Sequence, residues 1–223
     1  MALSASSPYR KNDDYSIVSD FAARIYASAV SLAQQLSMPS ESLQGTVILL
    51  TGLPGAGKTT LARALAERIG DAHQRRVTLL DGDEIRRLLS SELGYSREHR
   101  RLNVLRHAYI AAELCRHGAL VLCALIAPYA ADRAEMRRMV SAHGRFIEIH
   151  LSTPLAVCEQ RDPKGLYARA RAGQLAHMTG VDDPYELPQR PELAMDTSAL
   201  DVPDAVDRVM AYLGQCGALA TMQ

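Results

Sequence analysis

The sequence predicts an α/β protein in which helices cover both faces of a parallel sheet, giving three layers. Two observations favour this fold class. Short apolar runs alternate with segments of helical periodicity, and the first run leads through a glycine-rich turn into a helix. With 223 residues, 48% of them hydrophobic, the chain is long enough for one domain with a full core. Ligands of such sheets bind at the carboxyl ends of the strands, where we therefore look for a site.

The strands and helices are predicted from the period of the apolar residues. Strands are predicted at TVILLTG, RVTLLD, ALVLCALI and RFIEIHL, with a weaker fifth strand at ELAMD. Helices are predicted over residues 58–69, from residue 84, over residues 100–116, 131–142 and 204–213, and as short segments after the fourth strand.

The first 44 residues are predicted to form an N-terminal extension to a main domain at residues 45–223. Apolar residues recur at helical spacing between residues 18 and 36, with Ser19 or Asp20 as a cap and Pro39 after the end. We expect one amphipathic helix that packs on the main domain, supports a dimer or covers the substrate cleft. A membrane-surface helix is disfavoured because the apolar face lacks flanking lysines.

Composition excludes several classes of partner. The formal net charge is zero, there is no Trp, and there are two Phe, which argues against nucleic-acid and anionic-membrane binding. The four cysteines form no C-x-x-C pair and match no zinc framework, so reduced thiols in a cytoplasmic protein are expected. We find no signal peptide, and no apolar run approaches the roughly 20 residues of a membrane span.

The stretch TGLPGAGKTT predicts a nucleoside triphosphate site, with ATP as the favoured ligand. Gly52, Gly57, Lys58 and Thr59 fit the pattern G-x-x-x-x-G-K-[ST], between a strand and a helix. Glycines let successive N–H groups turn inward around phosphate oxygens, and the helix adds its positive N-terminal end. Lys58 would reach the outer phosphates, and the Thr59 hydroxyl would bind Mg²⁺. The predicted ATP contacts are Gly52, Leu53, Pro54, Gly55, Ala56, Gly57, Lys58, Thr59, Thr60 and Arg161.

Two carboxylates follow the second strand in LLDGDEIRR. Asp81 and Asp83 are placed at the same sheet edge as the phosphate loop. A carboxylate there can orient metal-bound water or accept a proton from an attacking hydroxyl, and we predict a catalytic role for Asp83. The alternative is that both cap the following helix, and Asp83 could do both.

A basic cluster follows in YSREHRRLNVLRH. Arg100, Asn103 and Arg106 lie within two helical turns, and Arg86 lies on the preceding helix. One guanidinium can bind two oxygens of a phosphate or sulfate group at once, so the cluster predicts a site for a second anionic substrate. Alone, the pattern would be typical of a solvated basic face.

The segment RDPKGLYARARAG places four basic residues after the fourth strand. We predict a mobile lid that closes over the phosphates, with Lys164 as its main catalytic cation. A helix with a basic outer face is the alternative.

Taken together, the motifs DGDEIR, GYSREHRRLN, IAPYAADR, CEQRDPKGLYARARAG and TGVDDPYE resemble those of the adenylylsulfate (APS) kinases, in order, from about residue 44 to residue 197. The resemblance implies a P-loop NTPase, nucleotide kinase-like fold at residues 45–223, a homodimer, and Mg²⁺-dependent transfer of the ATP γ-phosphate to the 3′-hydroxyl of adenylylsulfate. The substrate contacts it implies are Asp81, Arg86, Tyr95, Arg100, Asn103, Ile126, Ala127, Lys164, Leu166 and Met178.

Five positions depart from the family pattern. Glu84 replaces an asparagine and His99 an aspartate, and Ala127 stands where a serine is common, so no phosphoenzyme can form there. Tyr95 and Met178 replace two phenylalanines that hold the substrate adenine. Two alternatives therefore remain: a related kinase for another nucleotide derivative, such as one of a polysaccharide pathway, and a catalytically silent nucleotide-binding regulator. Retention of the phosphate-handling residues disfavours the second.

Overall fold

The computed structural model describes residues 44–73 and 76–219. The helix predicted between residues 18 and 36, and with it the predicted extension, lies outside the described residues.

The described chain builds one five-stranded sheet. Its strands are β1 (Thr46–Gly52), β2 (Val77–Asp81), β3 (Leu120–Ala124), β4 (Arg145–Leu151) and β5 (Leu193–Met195). Their order is β2-β3-β1-β4-β5, and all four pairings are parallel. The predicted parallel α/β class is confirmed, including the weak fifth strand. β3 ends two residues earlier than predicted, because Leu125 donates the last bond to Leu50 and Ala127 then adopts a positive φ of 44°.

Seven helices connect and flank the described strands. They are α1 (Lys58–His73), α2 (Gly82–Leu89), α3 (Arg97–Arg116), α4 (Ala130–Ser141), α5 (Leu155–Arg161), α6 (Leu166–Arg171) and α7 (Val202–Gln215). α2 begins two residues before the predicted start, because Asp81 caps it by accepting from the N–H groups of Asp83 and Glu84. α3 begins at Arg97 instead of residue 100, because the Ser96 hydroxyl accepts the His99 N–H at 3.3 Å.

The central strand β1 is buried along its whole length and separates two apolar layers. Ile48 and Leu50 pack with residues of α1 and α7, whereas Val47 and Leu49 pack with residues of α3 and α4. This period of two places alternate side chains on opposite faces of the sheet. The sheet is therefore covered on both sides, which explains why its strands appear in the sequence as continuous apolar runs.

The cysteines agree with the expectation of unpaired thiols. Cys115, Cys123 and Cys158 are buried, Cys216 is half-buried, and all four are free. Burial raises the pKa of the Cys115, Cys123 and Cys158 thiols, which keeps them protonated. In the part of the chain that the structure describes, no helix has both the length and the apolar character needed to cross a membrane.

Gly144 lies at a close approach between the entrance to β4, the start of β1 and the end of α3. A Cβ at this position would lie 2.4 Å from the Gly45 carbonyl oxygen and 2.5 Å from Cys115 Sγ. We expect Gly144→Ala to lower the free energy of unfolding, measured with urea, by about 1–3 kcal/mol because the backbone must shift. Gly70→Ala is the control, since Gly70 lies in α1 with nothing within 4 Å of the added Cβ. That variant should be about 0.5–1 kcal/mol more stable than the parent, and equal effects of the two substitutions would contradict the prediction.

Candidate active site

The phosphate loop connects the end of β1 to the first turn of α1. Its glycines are required by the backbone: Gly52 has φ 150° and Gly55 has φ 80°. A Cβ on Gly52 would lie 2.6 Å from the Leu151 carbonyl oxygen, and one on Gly55 would lie 2.8 Å from that of Cys158. The loop therefore lies directly against β4 and α5 and leads into the N-terminus of α1, whose first N–H groups have no partner within the helix.

Three successive carbonyls of this loop are held by side chains from distant segments. The Tyr167 hydroxyl donates to Pro54 O at 2.9 Å, Arg161 Nη1 donates to Gly55 O at 3.3 Å, and the Thr197 hydroxyl donates to Ala56 O at 3.0 Å. Arg161 also donates to the Thr197 hydroxyl at 2.9 Å and to its carbonyl at 2.7 Å. The predicted position of Arg161 at the phosphate loop is thus matched by the structure. Tyr167 and Thr197 were not predicted, because no local pattern indicates that they reach the loop.

Lys58 folds back over the loop that precedes it. Its Nζ donates to Gly52 O at 2.9 Å and to Leu53 O at 2.8 Å. Burial lowers the pKa of Lys58 to about 8, although the charges of Asp83 and Asp81 act in the opposite direction. The ammonium is therefore still charged at neutral pH but poised to lose its proton in mildly alkaline solution.

This lowered pKa predicts a pH-dependent affinity for ATP. Phosphate oxygens bind the protonated amine, so affinity should fall as pH rises through about 8, by about tenfold per unit once the neutral amine dominates. The measurement is the dissociation constant of a non-hydrolysable ATP analogue by calorimetry between about pH 6.5 and 9.5. A Lys58→Arg variant, whose guanidinium stays charged throughout, should lack this step. A flat profile in the parent would contradict the prediction.

Thr59 and Asp81 form an oxygen-rich pair beside the loop. Thr59 Oγ1 donates to Asp81 Oδ2 at 2.7 Å, while Asp81 Oδ1 accepts the Asp83 N–H at 2.9 Å. Burial would raise the pKa of Asp81, but the bonds from Thr59, Asp83 and Glu84 outweigh it and hold the pKa below its ordinary value. Asp81 was predicted among the substrate contacts; the structure places it against Thr59, on the phosphate side. A hydroxyl oxygen and an ionised carboxylate are suitable ligands for Mg²⁺, which usually keeps several bound waters and has few protein ligands.

Asp83 and Lys164 meet across the opening of the site. Asp83 lies in the first turn of α2, and Lys164 lies between α5 and α6. Lys164 Nζ and Asp83 Oδ2 form an ion pair, with side chains 55% and 70% exposed respectively. Exposed pairs contribute little to stability, so a ligand can separate these two groups at small cost. Because Asp81 is the cap of α2, the capping alternative for Asp83 is wrong, and its carboxylate faces the opening instead.

The Tyr95 ring lies close to two of the predicted arginines. The guanidinium carbon of Arg86 is 4.7 Å from the centroid of the Tyr95 ring, and that of Arg100 is 5.5 Å from it. Arg86 also donates to Leu93 O at 3.1 Å and Gly94 O at 2.9 Å. These contacts stabilise the turn before α3 and hold an aromatic ring and two cations at one end of the site.

Arg100 joins this turn to a segment far along the chain. It is buried, donates from Nε to Tyr95 O at 2.9 Å and from Nη2 to His177 O, and lies 3.7 Å from the Asp183 carboxylate. The next residue after His177 is Met178, which is 5% exposed, so the predicted pair Tyr95 and Met178 does belong to one region. Sequence reasoning missed His177 and Asp183; the positive φ of His177, 61°, has no sequence signal because glycine is the residue expected there.

Asn103 and Arg106 separate, although both belong to the predicted cluster. Asn103 is buried and lines the cavity. Arg106 instead donates to Leu89 O at 2.5 Å and pairs with Glu92 at 2.6 Å, outside the cavity. Arg106, to which no binding role is assigned, therefore lies outside the cleft, whereas Arg86, Arg100 and Asn103 are brought together.

A single cleft of about 1370 Å³ contains nearly all predicted site residues. We call the part around Lys58, Thr59 and Arg161 its phosphate end, and the part around Arg86, Tyr95 and Arg100 its arginine end. Other predicted residues in its walls are Pro54, Gly55, Gly57, Thr60, Asp81, Asp83, Asn103, Ile126, Ala127, Lys164, Leu166 and Met178. Gly52, Leu53 and Ala56 do not line it; they form the back of the phosphate loop.

The structure shows the surroundings of two residues that depart from the family pattern, His99 and Glu84. His99 Nδ1 accepts the Gly94 N–H at 2.8 Å, which is a bond that a carboxylate could also accept. Glu84 is exposed in the first turn of α2 and lines the cleft, so it adds a negative charge beside the arginine end.

Known proteins resemble this chain in sequence and in structure. A family profile described as Adenylylsulphate kinase matches residues 44–196, more than half of the chain. An adenylyl-sulfate kinase of Synechococcus sp. (strain JA-3-3Ab) is 47% identical over 176 residues, covering 79% of this chain and 98% of the relative. A sulfate adenylyltransferase of Aspergillus oryzae (strain ATCC 42149 / RIB 40) is 44% identical over 188 residues, 84% of this chain and 33% of the relative. The chain thus spans about a third of the length of the sulfate adenylyltransferases that it matches.

Among solved structures, the Mycobacterium tuberculosis APS kinase CysC in complex with AMPPNP and APS superimposes with a TM-score of 0.74. Its sequence is 36% identical, and the match covers 77% of this chain and 98% of that chain.

Proposed function

The chain belongs to the adenylylsulfate kinase family, and on that premise we propose that it transfers the γ-phosphate of ATP to the 3′-hydroxyl of adenylylsulfate. The products would be ADP and 3′-phosphoadenylylsulfate, in sulfate activation. The observation that carries the proposal is the single cleft that has a phosphate loop at one end and Arg86, Tyr95 and Arg100 at the other. Asp83 and Lys164 lie in the walls of the same cleft, where the two substrates would meet.

The reaction needs a nucleophile, an electrostatic clamp and a route for one proton. The 3′-hydroxyl oxygen attacks the γ-phosphorus, the bond to the β–γ bridging oxygen breaks, and ADP leaves. Asp83 accepts the proton of the attacking hydroxyl, which requires that Lys164 first release its carboxylate. Lys58, Lys164 and Arg161 then supply positive charge beside the phosphates.

Thr59 and Asp81 would hold Mg²⁺ at the phosphate end, because their oxygens already lie together. When bound, the ion would neutralise charge on the phosphates.

The arginine end supports an acceptor that carries anionic and aromatic groups. Arg86 and Arg100 are suited to phosphate and sulfate oxygens, and Tyr95 and Met178 to the two faces of a base. Ile126, Ala127 and Leu166 would contact the same molecule, with Asn103 at its polar edge. Glu84 is the residue that disfavours a strongly anionic acceptor and supports the alternative of a different nucleotide derivative.

The test is a coupled assay of ADP release with a panel of acceptors: adenylylsulfate, nucleoside monophosphates and nucleoside diphosphate derivatives. We expect adenylylsulfate to give the highest kcat/KM. Preference for a different derivative would favour the alternative kinase, and ATP binding without stimulated turnover would favour the silent regulator.

Cytoplasmic localisation and a homodimer complete the proposal. Light scattering of the purified chain would test the second point, and a monomer at assay concentration would contradict it.

A further inference from the structure

The loop between β3 and α4 is fixed from behind through three successive carbonyls. Each accepts a hydrogen bond from a different part of the chain. The bonds run from Thr51 Oγ1 to Ile126 O at 2.6 Å, from Arg133 Nη1 to Ala127 O at 2.7 Å, and from Glu186 N to Pro128 O at 2.8 Å. Ile126, Ala127 and Pro128 all line the cleft, so this loop is both a wall of the site and a backbone held by several hydrogen bonds.

The anchored loop holds an unfavourable backbone conformation. Ala127 has φ 44°, which a residue with a Cβ adopts only where its surroundings impose it. The Ile126 carbonyl points at Thr51, and because a trans peptide directs its C=O and N–H oppositely, the Ala127 N–H points away from that anchor. Within residues 44–73 and 76–219, no acceptor pairs with this N–H. Among the described residues it is therefore a donor without a partner, and it belongs to a residue that lines the cleft.

The bond from Thr51 has a defined direction. Ile126 O can only accept, so the Thr51 hydroxyl uses its one hydrogen there. The Tyr185 hydroxyl, 2.9 Å from Thr51 Oγ1, must then be the donor to Thr51. Burial raises the pKa of Tyr185 to about 12, so its phenol keeps this hydrogen over the working range of pH. Thr51 is fully buried and immediately precedes Gly52, so it connects the phosphate loop to the loop that follows β3.

Arg133 uses its guanidinium to connect three segments. Besides Ala127 O, it donates to Glu186 O at 2.7 Å, and its Nε lies 2.9 Å from Glu148 Oε1 on β4. Its side chain is 3% exposed and does not line the cleft, so it does not contact a ligand there.

We propose that Thr51 and Arg133 are positioning residues for the second substrate: they hold the Ile126–Pro128 backbone so that the Ala127 N–H donates to the acceptor. This inference rests on the proposed function for the identity of the acceptor. The hydrogen-bonded backbone itself does not depend on which molecule binds. Both residues act through the loop and not by touching the reacting atoms.

Thr51 offers a matched pair of variants. Thr51→Val removes the hydroxyl and keeps the shape, whereas Thr51→Ser keeps the hydroxyl. We expect Thr51→Val to raise KM for adenylylsulfate by about tenfold, the effect of one lost hydrogen bond of typical strength, with the Kd of AMPPNP within about twofold of the parent. Thr51→Ser should restore the parental KM. Arg133→Lys, which cannot reach all three acceptors, should repeat the valine result.

A second measurement does not require turnover. Hydrogen exchange, followed by mass spectrometry, reads the N–H groups of Leu125 and Ala130, which donate to Leu50 O and to the Glu186 carboxylate. In Thr51→Val, exchange should be faster in the peptide that contains Leu125 and Ala130 and unchanged in the peptide that covers residues 52–59. Exchange in Thr51→Ser should match that of the parent. If the parent protein does not phosphorylate adenylylsulfate, the proposed function is refuted. The hydrogen-exchange measurement still tests whether Thr51 holds the loop. Unchanged exchange in Thr51→Val, or equal losses of AMPPNP and acceptor affinity, would overturn the inference.

Discussion

Replacing Lys58 with alanine should lower kcat/KM for ATP by about a thousandfold. The change removes a cation at the phosphate end together with its hydrogen bonds, and charge stabilisation at a site of this kind is commonly worth two to three orders of magnitude. It also removes the two hydrogen bonds from Lys58 Nζ to Gly52 O and Leu53 O, which stabilise the phosphate loop. The measurement is steady-state kinetics with both substrates varied, accompanied by the melting temperature of each variant.

Arg68→Ala is the control for this experiment. Arg68 also belongs to α1 and is a cation, but its side chain is 49% exposed, pairs with Asp207 and lies outside the cleft. Loss of the Arg68 side chain should leave kcat/KM within about twofold of the parental value, because exposed ion pairs contribute little. If Lys58→Ala has the parental melting temperature and the parental turnover rate, the role assigned to the phosphate loop in the mechanism is wrong.

The second large effect is expected from Asp83→Asn. An amide cannot accept the proton of the attacking hydroxyl, so kcat should fall by about a hundredfold, the lower range for loss of a general base. KM for ATP should stay within about threefold, because the phosphate loop and the Thr59–Asp81 pair remain. Since Asp81 is the cap of α2, the variant should keep the parental melting temperature.

Glu84→Gln provides the comparison, because it removes the same charge from the neighbouring position in the same wall of the cleft. We expect kcat to change by less than about threefold, since Glu84 has no assigned proton transfer. If Asp83→Asn behaves like Glu84→Gln, the proton leaves to solvent, and Asp83 serves only to hold Lys164.

The sheet and the phosphate loop could be predicted because their signals are local. Buried parallel strands are continuous apolar runs, and the loop needs its glycines at fixed spacing. The starts of α2 and α3 were misjudged because the caps Asp81 and Ser96 precede the first apolar residue of each helix. Arg106 separates from Arg100 because six residues correspond to a rotation of about 240° around a helix, which directs the two side chains to different surroundings.

The remaining contacts depend on residues that are remote in sequence. Thr197 reaches Ala56 across 141 positions, and Arg100 reaches His177 across 77. No pattern along the chain encodes such pairs, because they exist only once the strands are ordered in the sheet. A resemblance can place residues of a motif, such as Met178, but it gives no account of why Asp183 and His177 accompany them.

The two ends of the cleft are built from different stretches of the chain, and this has a consequence for how the protein can diverge. The residues that handle ATP phosphates come from β1, α1 and the segments near Arg161 and Thr197, whereas the arginine end and its surroundings come from residues 84–103 and 177–183. Selection can therefore rewrite the second set while the first stays intact. Laboratory libraries confined to Glu84, Tyr95 and Met178 would then yield descendants that keep the same phosphoryl donor and differ in the alcohol they modify.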